Sequence, residues 1–182
     1  MPIILQSFVK INNTLALYPD LKLTDISVNT KINSRYYKLK LTLYDDIKQE
    51  NIFINIDFDT STMCKYVQNC GLYDIIIKHS QSKEIVAINE DSNFEKEQQI
   101  LKKIHKNKHV FIESILFSKE CNYSNNDNLE SVIKVEIIFE NKEILEIYLG
   151  YQEEYYGECH HSLPVVTSLI TNKETLIYTT SI

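Results

Sequence analysis

With 182 residues, 43% hydrophobic and 24% charged, the chain has the length and composition of one globular domain with a sizeable core, which excludes disorder and collagen-like repetition. Its three glycines, Gly71, Gly150 and Gly157, stand too far apart for the loop of a dinucleotide fold or a P-loop, and no GxSxG elbow or HExxH zinc helix occurs. The net charge of −6 divides into +2 over residues 1–108 and −8 over residues 109–182, and Arg35 is the single arginine beside 18 lysines, a poor endowment for neutralising nucleic-acid phosphates.

From the N-terminus, Ile4, Phe8, Ile11 and Leu15 fall on one helical stripe with Pro2 near its first position, and Asn12-Asn13 offers a turn between short strands as the alternative. Lys10 interrupts the opening apolar residues well before the ~18 needed to span a bilayer, and no signal-peptide pattern is present. The expectation is a cytoplasmic protein whose four cysteines, Cys64, Cys70, Cys121 and Cys159, are reduced and buried as small hydrophobes.

Residues 21–29 are a candidate strand. Tyr37, Leu39, Leu41 and Leu43 then alternate with Lys38, Lys40 and Thr42, and residues 45–51 turn the chain into Ile52, Ile54, Ile56 and Phe58, which predicts a β-hairpin. Met63, Tyr66, Val67 and Cys70 have helical spacing, with Gly71 at the stop position. A brief strand is expected over residues 85–88. Ser92 and Glu95 have the spacing of a capping box, opening a charged helix with Phe94, Ile100, Leu101 and Ile104 on its apolar stripe. Lys102, Lys103, Lys106 and Lys108 at its end complement the helix dipole, a solvated face rather than a phosphate site.

A strand over residues 109–118 and a polar, Asn-rich loop over residues 118–128 lead to the clearest signal. Ile133, Val135, Ile137 and Phe139 alternate with Lys134 and Glu136, and after Glu140-Asn141-Lys142 the residues Leu145, Ile147 and Leu149 alternate with Glu146 and Tyr148, a second hairpin. Further strands are expected over residues 163–170 and 174–178. The chain thus reads as a single α+β domain, predominantly antiparallel sheet with two hairpin units and two or three short helices. The units are offset by roughly 90–95 residues, which raises a weak internal duplication with halves 1–91 and 92–182, although period-2 alternation alone produces such resemblance.

The densest polar cluster follows the second hairpin. Residues 151–162 hold Tyr151, Tyr155 and Tyr156, Glu153, Glu154 and Glu158, and Cys159, His160 and His161. Tyrosine supplies contact area with few rotatable bonds and a polar tip, and interleaved carboxylates attract a basic partner. Glu136, Glu140, Glu143 and Glu146 would extend this negative surface, or else protect a sheet edge. The leading expectation is a non-enzymatic protein-binding module, in concrete form an immunity protein or antitoxin that neutralises a basic nuclease-type toxin. Its partner-binding residues would be Tyr151, Glu153, Glu154, Tyr155, Tyr156 and Glu158, with no cofactor, no metal, no direct nucleic acid and no membrane.

Two alternatives stand beside it. A small enzyme would use Cys159 with His160 or His161 as a nucleophile and base, and the same groups could bind zinc with ligands from His79, His105, His109 or Cys121. Adjacent histidines on an extended segment face opposite ways, which works against one compact site. The third reading is a structural or assembly subunit that associates through strand edges. A solvated loop with one or two tyrosines packed inward is the plain alternative to all three.

Overall fold

A strand with one buried face needs alternating side chains, and a helix on a core needs apolar residues three and four apart; the chain supplies both. The structure is a computed structural model and describes residues 2–3, 6–30, 36–59, 75–81, 83, 85–88, 94–104, 109–123, 129–149 and 164–181. Its elements are β1 (Pro2–Ile3), α1 (Gln6–Ala16), β2 (Leu21–Thr30), β3 (Tyr36–Asp45), β4 (Glu50–Asp59), β5 (Ile75–His79), β6 (Ile85–Ile88), α2 (Phe94–Ile104), β7 (Ile112–Tyr123), β8 (Leu129–Phe139), β9 (Ile144–Leu149), β10 (Pro164–Ile170) and β11 (Thr175–Ser181).

The fold is α+β, with two helices among the described residues and two antiparallel sheets. One sheet has the order β2-β3-β4-β10-β11, and the other β1-β7-β8-β9-β5-β6, its first strand only two residues long. Both predicted hairpins form. β3 pairs with β4 from Tyr36↔Asp59 to Asp45↔Glu50, and β8 pairs with β9 from Ile133↔Leu149 to Ile138↔Ile144. Each three-stranded meander is then completed by a hairpin from the other half of the sequence. β10 lies on β4 with Val165 opposite Phe58, and β5 lies on β9 with Ile75 opposite Leu149.

The inward positions of both sheets belong to one apolar cluster. Leu39, Leu41, Ile54 and Ile56 from one sheet and Val135, Ile137, Ile147 and Ile77 from the other are all fully buried. α1 adds Phe8, Ile11 and Leu15, at the i, i+3, i+7 spacing of a single stripe, and α2 adds Leu101. α1 packs on β7 and β11, and α2 packs on β2 and β6, so each helix joins one sheet to the other.

Outer strands carry unpaired backbone groups that invite foreign strands. Here the helices supply substitutes. The Asn12 side-chain amide donates to the Phe117 carbonyl at 3.3 Å and its Oδ1 accepts the Phe117 N–H at 2.9 Å, as a neighbouring strand would. On the opposite seam the Gln98 amide donates to the Val28 carbonyl at 3.0 Å.

A bridge between Lys22 and Phe111 sets the starts of β2 and β7 side by side. With the strand registers, it gathers the short turns at residues 46–49, 140–142 and 171–174 at one end of the molecule. The strand ends at Thr30 and Asp59 lie at the far end of one sheet from these turns, and those at Tyr123 and Leu149 at the far end of the other. Gln49 and Lys142 take the left-handed backbone conformation, at φ 54° and 70°, that lets their turns reverse tightly.

Of the N-terminal stripe, Phe8, Ile11 and Leu15 are helical as expected and Ile4 lies outside the described residues, but Pro2 belongs to a strand paired with Glu120 rather than to the first helical turn. Asn12 and Asn13 lie within α1; Asn12 is held there by its strand-like contact with Phe117. Residues 118–123 are not loop. They extend β7, because Ser118 to Tyr123 find register partners in Lys134 to Leu129, and pairing overrides their polar composition. β5 was not anticipated, since Ile75-Ile76-Ile77 shows no alternation. The expected helix over residues 61–70, and Ser92 of the capping box, fall outside the described residues.

Candidate functional site

Tyr151, Glu153, Glu154, Tyr155, Tyr156, Glu158, Cys159, His160 and His161 all lie outside the described residues. What the structure does establish is the framework on either side: β9 ends at Leu149 in one sheet and β10 begins at Pro164 in the other. Each of those strand ends lies at the end of its own sheet away from the short turns. Tyr36, Asp57 and Asp59 stand on the strand ends beside the start of β10. There burial, followed by Asp57 and Asp59, pushes the Tyr36 hydroxyl above its ordinary pKa, so the local field disfavours further negative charge.

The outer face of the second hairpin differs from the expected negative surface. Glu136 and Glu146 do share that face, but Lys134 sits between them at 3.3 and 3.2 Å. The Lys134 ammonium also lies 5.7 Å from the Tyr148 ring centroid, and Lys78 from the adjoining β5 lies 5.3 Å from it. The Tyr148 hydroxyl donates to Glu146. Desolvation alone would raise the Glu146 carboxyl; the Tyr148 hydrogen bond, Lys134 and Lys78 outweigh it and hold the group below its ordinary value of 4.5. This patch is a compensated network whose charges are already spent on one another.

A carboxylate held low in the folded protein adds stability at neutral pH, and that stability is lost as pH falls from about its unfolded value through the folded one. Lys134→Met removes one of the three lowering groups, so Glu146 should take up its proton at higher pH. Urea midpoints measured between pH 3 and 7 should show the variant less stable at neutral pH, with the gap to the unmodified protein closing as pH falls below about 4.5; a gap that stays constant down to pH 3 would refute the network.

Glu143 departs further from expectation. Instead of lining a negative surface it is buried, 6% exposed, with its Oε2 3.1 Å from Nε2 of His79, itself 9% exposed. The turn geometry produces this. Lys142 donates its N–H to the Phe139 carbonyl, Phe139 donates to the Glu143 carbonyl, and the Glu143 N–H goes to Oδ1 of Asn141, which turns the side chain inward. Ser80 ties the same corner, donating its N–H to the Ile144 carbonyl at 2.9 Å and accepting the Ile144 N–H on its hydroxyl at 2.8 Å. His79, a candidate zinc ligand by residue type, is thus committed to a carboxylate in the interior. Among the described residues no group of three His, Cys, Asp or Glu is placed to hold a metal ion. His109 lies in an exposed turn, Cys121 is on β7, and His105 is outside the described residues.

The concavities among the described residues include the following two. A cleft of about 240 Å³ between α1 and the start of β7 is lined by Asn12, Leu15, Tyr18, Ile112, Glu113 and Ser114. Its carboxylate, Glu113, is paired with Lys142 at 2.9 Å. A more open depression of about 390 Å³ between β6 and α2 is lined by Ile85, Lys96, Gln99, Ile100 and Lys103. Neither assembles a nucleophile with a base. No described helix is long and apolar enough to cross a membrane. Compared with protein-family models, curated proteins and solved structures, the chain shows no significant match.

Proposed function

We propose that this chain is a non-enzymatic, cytoplasmic protein-binding module that neutralises a basic protein, in its most concrete form an immunity protein or antitoxin for a nuclease-type toxin. The observation that carries the reading is the run of three tyrosines and three glutamates over residues 151–158, within a stretch of net charge −8. Support comes from carboxylates elsewhere in the second half of the chain. Glu113, Glu136, Glu143 and Glu146 each have a lysine or histidine within 3.3 Å, so the attraction of a basic partner is assigned to Glu153, Glu154 and Glu158. Tyr151, Tyr155 and Tyr156 serve as its contact anchors.

Electrostatic steering acts on association and weakens with salt. Affinity capture with the intact protein identifies the partner. Replacing Glu153, Glu154 and Glu158 by Gln should then slow association with the purified partner by about tenfold at low ionic strength and flatten its salt dependence, with the unfolding midpoint unchanged. Equal association rates at low salt would overturn the site. A reactive Cys159 together with a histidine titrating near neutrality would favour the enzyme reading instead.

The assembly reading has one observation in its favour. Ile85 on β6 and Ile177 on β11 are 59% and 65% exposed, each on an outermost strand. Sedimentation over a hundredfold concentration range separates it from the binding module, which stays monomeric.

A further inference from the structure

The two halves of the chain place the same elements in the same order: α1-β2-β3-β4-β5-β6, then α2-β7-β8-β9-β10-β11. Replacing each element of one half by its counterpart turns the sheet β2-β3-β4-β10-β11 into β7-β8-β9-β5-β6, the order of the other sheet without β1. The agreement extends to details that period-2 alternation does not generate. Both helices are 11 residues long, and each packs on the first and last strands of the opposite half. The first strand of each meander has a register shift near its start, between Leu23 and Asp25 and between Ile112 and Ser114. The residue opening each meander's second turn, Asp46 or Glu140, donates its N–H to the residue just before the first strand, Asp20 or Phe111, at 3.1 and 3.0 Å.

The attachment of the exchanged hairpins also corresponds. A glutamate at the start of the third meander strand receives each one: Glu143 meets His79 at the end of β5, and Glu50 accepts from the Asn172 side chain just after β10. Glu50 and Glu143 are 93 residues apart, as are the inward-facing Ile54 and Ile147. Both helices, finally, use a side-chain amide, Asn12 or Gln98, to close the opposite half's outer strand.

We propose that the chain is two copies of one helix-plus-five-strand unit, fused in tandem, that exchange their C-terminal hairpins, so that the binding partner of each half is a second copy of the same unit. β4 and β9 each present an open edge that only the other half fills, along six register pairs in one case and five in the other. An unfilled edge leaves backbone groups and an apolar face exposed. This inference is independent of the acidic segment, and its test involves no external partner.

The experiment uses the full chain with a specific protease site inserted between residues 89 and 93, folded first and cut afterwards. The two fragments should remain together in native buffer with the mass of the uncut chain, unfold in one transition and separate only in denaturant. Separation in native buffer, or two transitions, would overturn the exchange. A second variant does not depend on the cut chain staying folded. Asn55→Cys with Ser168→Cys places a cysteine pair at directly opposed positions of β4 and β10. After oxidation of the intact chain, cutting and denaturation, the fragments should migrate as one band that reduction splits in two. Two bands before reduction, as with Asn55→Cys alone, would refute the pairing of one half's hairpin with the other half's meander.

Discussion

Glu143→Ala is expected to cost about 3–5 kcal/mol, read as a lower urea midpoint with an unchanged slope. The carboxylate and the imidazole of His79 are both almost wholly buried and 3.1 Å apart, and removing one strands the other away from water. The pair also joins the β5–β6 hairpin to a meander from the other half, so the loss falls on a junction rather than on one turn. Glu143→Gln, which keeps a hydrogen-bonding group of similar volume, should cost clearly less. His79→Phe combined with Glu143→Leu should be milder than the sum of the single changes, because it removes both polar groups together. A cost below about 1 kcal/mol for Glu143→Ala would mean that the pair is solvated.

Phe8→Ala should destabilise by about 3–5 kcal/mol, the range for removing a large buried aromatic side chain. Phe8 is fully buried, with its ring centroid 5.9 Å from that of Phe117 at an angle of 48°. Together with Ile11 and Leu15 it is the means by which α1 grips β7 and β11. Losing that grip also loosens Asn12, whose amide closes the β7 edge at Phe117. Hydrogen exchange should therefore accelerate at the Phe117 amide as well as in α1, and Phe8→Leu should recover most of the stability. A variant with normal stability and fast exchange confined to α1 would show that the helix is a superficial attachment.

The hairpins were legible because both of their faces carry information. Lys38, Lys40 and Thr42 between Tyr37, Leu39, Leu41 and Leu43 leave no other periodicity open, and the same holds for residues 133–139 and 145–149. β5 was missed because Ile75-Ile76-Ile77 reads as an unbroken apolar run. Ile76 is nonetheless on the outer face, so half of the signal that marks a strand was absent. The exchange of hairpins was illegible for a different reason. Val165 and Phe58 are adjacent in space and over 100 residues apart in sequence, and no local pattern records which edge a strand will fill.

The candidate site divides in the same way. Tyrosine and glutamate density is a property of composition and was visible at once in residues 151–158. Compensation is a property of geometry. Nothing in the spacing of Lys134, Glu136 and Glu146 distinguishes a negative strand face from one neutralised from within, and Glu143 read as surface until the turn at residues 140–142 directed it toward His79.

The crossing of strands between the two halves also sets a timetable for synthesis. β4 is complete at Asp59, but its neighbour begins only at Pro164. At about 5–20 residues per second the ribosome needs about 5–20 s to make the intervening chain. During that interval the first meander waits with an apolar face and an unpaired edge, while β5 and β6 wait for β9. The two native sheets therefore close in quick succession, the second meander's edge once β9 has been made and the first meander's edge once β10 follows it.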